Sequence, residues 1–295
     1  MAVLFRFGLW LAARFSPSQA YRIAGGLARL MRHSNTAKVS RINLRACYPE
    51  LSDAEIDALC QASVQHMVLL FFELGQLRFW PQERLLANIQ IAGQDTLEAA
   101  FQKDNGVLLL VPHLGNWELM CVFLGHFYTV AALYDPPKVG GLEAEIKAAR
   151  ERFDGKMFAI GVGGMRSVLK ELKQGGLVAV LPDQVPDRDA GVYVDFFGHS
   201  ALTMTLPHQL VSKTQASIIM GCVVREIGDS GVVSYRLHFT ELSEIGGSPE
   251  VTARLVNRAI EHEIQRAPAQ YQWEYKRFKR PEGGGQRNIY RDGGV

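Results

Sequence analysis

The spacing of apolar residues divides the chain into a helical first part and a second part in which strands and helices alternate. Up to about residue 80, apolar residues recur every three to four positions, the period of a helix with one buried face. Helices are predicted over Ala2–Phe15, Gln19–Met31 and Thr36–Ala46. A longer fourth helix is predicted to begin at Ser52-Asp53-Ala54-Glu55, where Ser52 and Glu55 have the spacing of a capping box.

From residue 89 onward, short apolar runs are separated by helical patterns. Strands are predicted over 89–92, 107–111, 129–134, 157–160, 177–181, 217–224 and 232–240, and helices over 94–102, 116–126, 141–153, 164–174, 201–213 and 249–266. This alternation is typical of an α/β fold with a mostly parallel sheet flanked by helices. The alternating run Val192–Gly198 carries Phe196 and Phe197, which fit either the core or the wall of an apolar pocket.

Basic charge is concentrated near the N-terminus. Of the 32 Lys and Arg residues, eight lie in residues 1–49, which contain no Asp or Glu, so the other 24 face all 30 acidic residues. A basic, apolar segment indicates contact with an anionic membrane surface, although a solvated basic face would have a similar composition. Ala2–Phe15 contains Arg6 and Arg14 and is shorter than the roughly 20 apolar residues of a span. We therefore expect an interfacial helix, with a short tilted span as the alternative.

These patterns suggest three parts: a membrane-associating helical segment (1–32), one large domain (33–281) and a flexible glycine-containing tail (282–295). The four cysteines show neither a CxxC pair nor a metal-ligand spacing, which is typical of reduced, buried thiols in a cytoplasmic protein. The eight histidines show no metal-ligand spacing either, so no metal site is predicted.

The stretch that carries most of the chemistry is Val107–Leu119. Its apolar beginning predicts a buried strand, and His113 follows the end of that strand. Gly115 permits a turn into a new helix, so that Glu118 in its first turn could hold the His113 imidazole in one tautomer. A His near a Glu is usually a surface or capping contact, but ligands of open α/β sheets bind at the carboxyl ends of strands.

The stretch VPHLGNWEL (111–119) resembles the His-and-acid block of the glycerolipid and lysophospholipid acyltransferase superfamily. Three further stretches resemble the late acyltransferases of bacterial lipid A biosynthesis within it: RINLRACYPELS (41–52), GVYVDFFG (191–198) and YQWEYKRFKRP (271–281). The four blocks occur in the same order over almost the whole chain. The resemblance implies that His113 and Glu118 are catalytic and that a hydrophobic N-terminal segment anchors the protein, although this segment in relatives is often longer.

The resemblance also implies substrate-binding residues. The Arg-x-Arg of the relatives corresponds to Arg150 and Arg152, and Arg150 would hold an acceptor phosphate or the developing oxyanion. Asp183 follows another predicted strand and would hold Arg150 or receive a sugar hydroxyl. Taken alone, the arginines could equally be solvated residues at a helix end, and Asp183 could simply begin a loop.

The reaction that the resemblance implies is transfer of an acyl chain from acyl carrier protein to a hydroxyl of a lipid A precursor of the Kdo-bearing lipid IVA type. His113 would take the hydroxyl proton, Glu118 would orient His113, and backbone N–H groups near Gly115-Asn116, or Arg150, would meet the oxyanion. Direct transfer requires neither a cofactor nor an enzyme nucleophile, in agreement with the absence of a G-x-S-x-G motif from the sequence. The expected location is the cytoplasmic face of the bacterial inner membrane.

Other functions remain open at this point. The acceptor could be a lysophospholipid or an aminolipid, water could replace it in a hydrolase, or the chain could be a noncatalytic membrane-binding module. Basic residues interleaved with aromatic ones over Trp273–Arg280 fit a membrane surface or an acidic carrier protein better than nucleic acid. Gly161, Gly163 and Gly164 lack the full fingerprint of a nucleotide-binding loop.

Overall fold

The computed structural model describes residues 2–134, 148, 150–228, 231–242, 247–283 and 288–294. In this part of the chain the helices are α1 Ala2–Ala12, α2 Pro17–Leu30, α3 Asn35–Cys47, α4 Asp53–Phe79, α5 Gln82–Leu86, α6 Gln94–Phe101, α7 Glu118–Phe127, α8 Val162–Lys173, α9 Leu206–Thr214, α10 Pro249–Arg266 and α11 Ile289–Asp292. The strands are β1 Ile89–Ala92, β2 Val107–Leu110, β3 Val130–Tyr134, β4 Gly155–Ala159, β5 Leu177–Val180, β6 Gly191–Phe196, β7 His199–Met204, β8 Ser217–Ile227 and β9 Val233–Glu241.

A seven-stranded sheet in the order β1-β9-β8-β2-β5-β3-β4 organises the molecule. Its strands correspond to the seven that the sequence predicts, and every neighbouring pair is parallel except β8–β9. Alternate residues of β2 enter two different apolar clusters, Leu108 and Leu110 in one and Val107 and Leu109 in the other. A central strand that is apolar on both faces requires cover on both sides. The predicted α/β fold is therefore confirmed.

The predicted helix over 201–213 is wrong in its first part. Residues His199–Met204 form β7, which pairs antiparallel with β6, and the helix begins only at Leu206. Phe197 and Gly198 both have positive φ, 52° and 76°, the backbone pattern of a two-residue hairpin turn. The hairpin was missed because Phe197 is not a typical residue at a position that requires φ above zero.

The helices α1 and α2 pack against α4. The indole Nε1 of Trp80 donates to the Ala13 carbonyl at 2.7 Å, and the Gln76 amide donates to the Phe15 carbonyl at 3.1 Å. The helix α4 is the one helix among the described residues that is long and apolar enough to cross a membrane. It also carries Glu73 in a buried ion pair with β8, which is typical of a core helix. The 11 residues of α1 span about 16 Å, roughly half of a bilayer core.

Two further expectations concern segments that the structure describes in part. The predicted helix over 141–153 lies largely outside the described residues. The sequence predicts a flexible tail after residue 281, yet Tyr290 in α11 is 1% exposed and its hydroxyl donates to Asn43 Oδ1 of α3 at 2.6 Å. Residues 288–294 are therefore docked on α3 through this contact.

Candidate active site

The carboxyl ends of β2 and β5 bring His113 and Asp183 together. The two strands are parallel neighbours, and Leu110 pairs with Val180. His113 lies three residues after Leu110 and Asp183 three residues after Val180, in each case directly after a proline. Because the two strands leave the sheet in the same register, their first polar side chains meet at one edge.

The imidazole of His113 is held from several sides. Its Nδ1 lies 2.8 Å from Asp183 Oδ1, and its backbone N–H donates to Asp183 Oδ2 at 2.9 Å. The Trp117 ring packs edge-on at 4.9 Å between centroids, and the Gln184 amide nitrogen lies 3.2 Å from Nε2. The structure thus places Asp183 in the orienting position that the sequence suggested for Glu118.

Asp183 is 2% exposed, so its ionisation depends on its partners. Burial raises the pKa of this carboxyl, but the charge and the hydrogen bonds of His113 act in the opposite direction, and the net pKa is lowered. The hydroxyl of Tyr271 lies on the same carboxylate, and burial followed by the Asp183 charge raises its pKa well above the ordinary value. Asp183 is therefore a buried carboxylate held directly against the His113 ring.

Glu118 forms a two-pronged ion pair with Arg150. Arg150 Nε donates to Glu118 Oε2 at 2.9 Å, and Nη2 donates to Oε1 at 2.5 Å. Burial raises the pKa of Glu118, but the charge of Arg150, its hydrogen bonds and the nearby His113 outweigh burial and lower it. The Arg150 side chain remains 24% exposed, so it is fixed by Glu118 and still accessible to a ligand.

Arg152 points elsewhere. Its Nη1 donates to the Leu77 carbonyl near the end of α4 at 2.9 Å. Residues two apart on a helix diverge, and Arg150 and Arg152 do so here. The structure thus gives Arg152 a role in packing, whereas Arg150 lies at the site.

The turn between β2 and α7 needs glycine. Gly115 has φ 64°, and a Cβ on it would lie 1.9 Å from the Val223 carbonyl oxygen. Its N–H donates to the Gln270 carbonyl at 2.9 Å, and the Asn116 N–H donates to Val223 at 2.8 Å. Both N–H groups are therefore occupied, which corrects the expectation that they meet an oxyanion.

A second Glu–Arg pair lies behind this turn. Arg225 of β8 donates to both oxygens of Glu73 on α4, at 2.7 and 2.5 Å, and Tyr235 donates to the same carboxylate at 2.9 Å. The Gln270 side chain bonds the Arg225 backbone twice, each at 2.8 Å. The Gln270 carbonyl also accepts the Gly115 N–H, so these residues support the turn. We call Glu73, Arg225 and Gln270 the brace.

A small cavity of about 20 Å³ lies beside the turn. Met67 and Leu70 of α4 and Trp117 give it apolar walls, and Gln272 and His66 lie among its polar lining. Burial, and then the charge of Arg225, lowers the pKa of His66 to about 3, so this histidine is neutral near pH 7. Arg225 and Glu274 also line the cavity, so its wall is apolar on one side and polar on the other.

The basic cluster near the C-terminus is partly internal. Arg277 is 3% exposed and donates to the Leu202 carbonyl and to Thr203 Oγ1 in β7. Arg280 donates to the Pro186 carbonyl at 2.5 Å and also contacts Asp187. These two arginines hold the β6–β7 hairpin and the loop after Asp183, so they form less of a docking surface than the sequence indicates.

Three buried residues distant in sequence also meet in the fold. Cys222, His238 and Glu263 offer possible metal ligands within 4.8 Å of one another. His238 Nε2 already lies 2.6 Å from Glu263 Oε2, and Arg266 lies 3.5 Å from the same oxygen. With His262 Nδ1 3.5 Å from Oε1, the carboxylate thus has three cationic or hydrogen-bonding partners. No spacing along the chain could have predicted this group.

Comparisons with known proteins show the family of the chain. The family described as bacterial lipid A biosynthesis acyltransferase matches residues 1–280. The chain is 30% identical to the lipid A biosynthesis palmitoleoyltransferase of Escherichia coli K12 over 250 residues, 83% of this chain and 79% of the relative. It is 25% identical to the lauroyltransferase of the same organism over 283 residues, 93% and 90% of the two chains. The chain belongs to the bacterial lipid A biosynthesis acyltransferase family, and it is an acyltransferase with a lipid acceptor.

Proposed function

We propose that the protein transfers a fatty acyl chain from an acyl carrier protein thioester to a hydroxyl group of a lipid A precursor. The observation that supports this proposal most strongly is the His113–Asp183 contact at the neighbouring carboxyl ends of β2 and β5. An imidazole that keeps one nitrogen on a carboxylate has its other nitrogen available as a general base. The geometry of this pair suits the removal of a proton from an alcohol.

In the proposed reaction His113 Nε2 takes the proton of the acceptor hydroxyl while the hydroxyl oxygen attacks the thioester carbonyl carbon. The carbon–sulfur bond then breaks, and His113 returns the proton to the leaving thiolate. Asp183 stabilises the imidazolium between the two steps. His113 and Asp183 supply the whole proton path, so no covalent enzyme intermediate is needed.

Arg150 is proposed to bind negative charge, either an acceptor phosphate or the oxyanion of the tetrahedral intermediate. Glu118 binds two N–H groups of the Arg150 guanidinium and so fixes the plane of that group. The remaining N–H donors of Arg150 therefore point in fixed directions. Met67, Leu70 and Trp117, which form the apolar wall beside the turn, are proposed to contact the start of the acyl chain.

The first experiment incubates the purified full chain with acyl carrier protein thioesters and candidate acceptors: a lipid A precursor, a lysophospholipid and an aminolipid. Acylated lipid A precursor would support the proposal. Product on another lipid alone would change the acceptor, and free fatty acid alone would indicate a hydrolase. An absence of turnover with every acceptor would contradict the proposed enzyme activity.

We further propose that α1 lies on the inner membrane at its cytoplasmic face. Its exposed apolar residues recur at helical spacing and so share one face: Val3, Leu4, Phe7, Trp10 and Leu11. Burial of each such side chain is worth roughly 1.5–3 kcal/mol. The guanidinium of Arg14 lies 4.3 Å above the Trp10 ring, which places a positive charge beside the apolar face.

This membrane proposal is tested by substitution rather than truncation, because removal of residues 1–32 would uncover Leu69 and Phe72 of α4, which are buried against α1 and α2. The combined variant Val3→Ser, Leu4→Ser and Phe7→Ser should lose sedimentation with anionic vesicles. The control, Ile160→Ser with Val162→Ser, alters equally exposed apolar residues elsewhere. Unchanged sedimentation of the first variant would place the anchor on another surface.

A further inference from the structure

The Nε2 atom of His113 is occupied in the structure. The Gln184 amide nitrogen lies 3.2 Å from it and 3.4 Å from Gln272 Oε1. The NH₂ group of Gln184 has two hydrogens. One points to His113 Nε2 and the other to Gln272 Oε1. Because Nδ1 of His113 lies on the Asp183 carboxylate, Nε2 carries the lone pair, and the Gln184 N–H donates to it.

In the proposed function, His113 Nε2 must take the proton of the lipid hydroxyl. This is the atom that the Gln184 amide occupies. An imidazole nitrogen whose lone pair already receives a hydrogen bond cannot deprotonate a second group. The Gln184 amide therefore stands where the acceptor hydroxyl must stand. One of the two has to leave before the other can bind.

Of the bonds to His113, the one from Gln184 is the most easily broken. Asp183 is 2% exposed and makes two bonds of 2.8 and 2.9 Å to this residue. The Gln184 side chain is only half-buried, its bond is longer, and its second partner, Gln272, lies at 3.4 Å. A flexible, half-buried amide can rotate away without disturbing the Asp183 contact.

Resting on the proposed acyl transfer, we propose that Gln184 makes the site select a lipid hydroxyl over water. Its amide covers His113 Nε2 until a bound acceptor displaces it. The acceptor lipid has further groups with which to bind, so it can displace the amide, whereas a water molecule gains little beyond the bond it would break. Gln184 is thus a specificity-determining residue, and Gln272 positions it.

The side reaction that Gln184 suppresses follows the same path as transfer. Water at Nε2 would lose its proton to His113, and its oxygen would bond to the thioester carbonyl carbon. The carbon–sulfur bond would break, and the proton would pass to the thiolate. The products would be a free fatty acid and the thiol of the carrier, so the acyl group would be wasted.

The test measures free fatty acid released without acceptor and acylated lipid formed at saturating acceptor, with purified full chain and an acyl carrier protein thioester. Gln184→Ala and Gln184→Leu both remove the N–H, and Leu retains much of the volume. We expect the ratio of hydrolysis to transfer to rise roughly five- to tenfold in both, about the effect of one neutral hydrogen bond. The KM for the acceptor should fall, because no amide has to be displaced.

Three controls make the result specific. Gln272→Leu should raise the ratio by less, since Gln184 loses only its weaker partner. Adding His113→Ala to Gln184→Ala should abolish the extra hydrolysis, because that hydrolysis needs the base. Gln94→Ala changes a glutamine on α6 that bonds Glu98 and should leave the ratio as in the unaltered protein.

An unchanged ratio in Gln184→Ala and Gln184→Leu would overturn the inference. A rise in Gln184→Ala alone would also overturn it, since bulk rather than the hydrogen bond would then exclude water. A higher KM for the acceptor would assign Gln184 to acceptor binding instead. If the unaltered protein acylates no acceptor, the proposed function fails by itself, and this outcome is distinct from an unchanged ratio in an active enzyme.

Discussion

Two Glu–Arg pairs with the same bonding pattern lie on either side of the turn after His113, and they differ in their exposure to solvent. Both side chains of Glu73–Arg225 are 1% exposed, whereas those of Glu118–Arg150 are 10% and 24% exposed. In each pair Nε and Nη2 of the arginine reach the two carboxylate oxygens. The same ion pair thus occurs once shielded from solvent and once partly exposed to it. We call Glu73–Arg225 the sealed pair and Glu118–Arg150 the open pair.

The difference in exposure indicates a difference in role. The sealed pair connects α4 to β8 and, through Gln270, supports the Gly115 turn, so a ligand has no access to it. The open pair presents a guanidinium beside His113. Breaking the first pair should therefore reduce folding stability, whereas breaking the second should reduce catalysis. The following predictions test this division.

The largest effect is expected from the site itself. His113→Ala should lower the turnover number by roughly two to four orders of magnitude, because general-base catalysis contributes about that much. The thermal midpoint should also fall, because Asp183 is 2% exposed and would lose its partner, so turnover is compared per folded molecule. Turnover and thermal unfolding of one preparation check both statements, and a folded variant of near-normal rate would refute the mechanism.

Glu73→Gln should have the second-largest effect, on stability rather than on chemistry. It leaves Arg225 charged and buried without its ion partner, which costs about 3–5 kcal/mol. Urea unfolding followed by circular dichroism measures the loss. The control is Glu226→Gln at the half-exposed Arg236–Glu226 pair, where about 0–1 kcal/mol is expected. Equal losses in the two variants would remove the distinction between sealed and open pairs.

Asp183→Asn tests whether burial alone decides the role of a carboxylate. Asp183 is as buried as Glu73 and Arg225 of the brace, yet its partner is His113. We expect a fall in turnover of roughly one to two orders of magnitude, because the amide cannot stabilise an imidazolium as a carboxylate does. A stability loss without any loss of turnover per folded molecule would assign Asp183 to the brace, and would restore Glu118 as the candidate partner of His113.

Arg150→Lys should have a smaller effect, about tenfold on kcat/KM, since lysine retains the charge but loses the planar fork. The loss should concern the acceptor rather than the thioester if Arg150 binds an acceptor phosphate. Kinetics with each substrate varied in turn separate the two roles. Activity equal to that of the unaltered protein at every acceptor concentration would make Arg150 an ordinary surface charge.

The sequence predicted those parts of the fold that depend on local pattern. The seven strands of the main sheet are each marked by a short apolar run, and His113 by its place after such a run. The order of the strands is a property of the tertiary fold, however. Since β5 lies beside β2, Asp183 rather than Glu118 reaches the His113 ring. The repeated apolar-Pro-polar ending of both strands was the available signal.

The brace could not be predicted from the sequence either, because its residues also come together only in the tertiary fold. Glu73 and Arg225 are 152 positions apart, and nothing near either residue marks it as buried. Gln270 reads as an ordinary loop residue. Long-range polar pairs of this kind become visible only when the packing of α4 on β8 is known, and the β6–β7 hairpin was hidden similarly by an unusual turn residue.

The last and smallest effect is a dependence of stability on pH at the open pair. Arg150 lowers the pKa of Glu118 below its ordinary value of 4.5. The stability that this carboxylate contributes is therefore fully present above about pH 4.5 and is lost as the pH falls through the lower folded pKa. The stability difference between the unaltered protein and Glu118→Gln should narrow as the pH falls below about 4.5, as measured by urea unfolding. Repeating the comparison in an Arg150→Met background should abolish the narrowing, because the charge that lowers the pKa is gone. A difference that stays constant with pH in the presence of Arg150 would mean that the open pair contributes no ionisation-linked stability, and that its two bonds act only by placing the guanidinium.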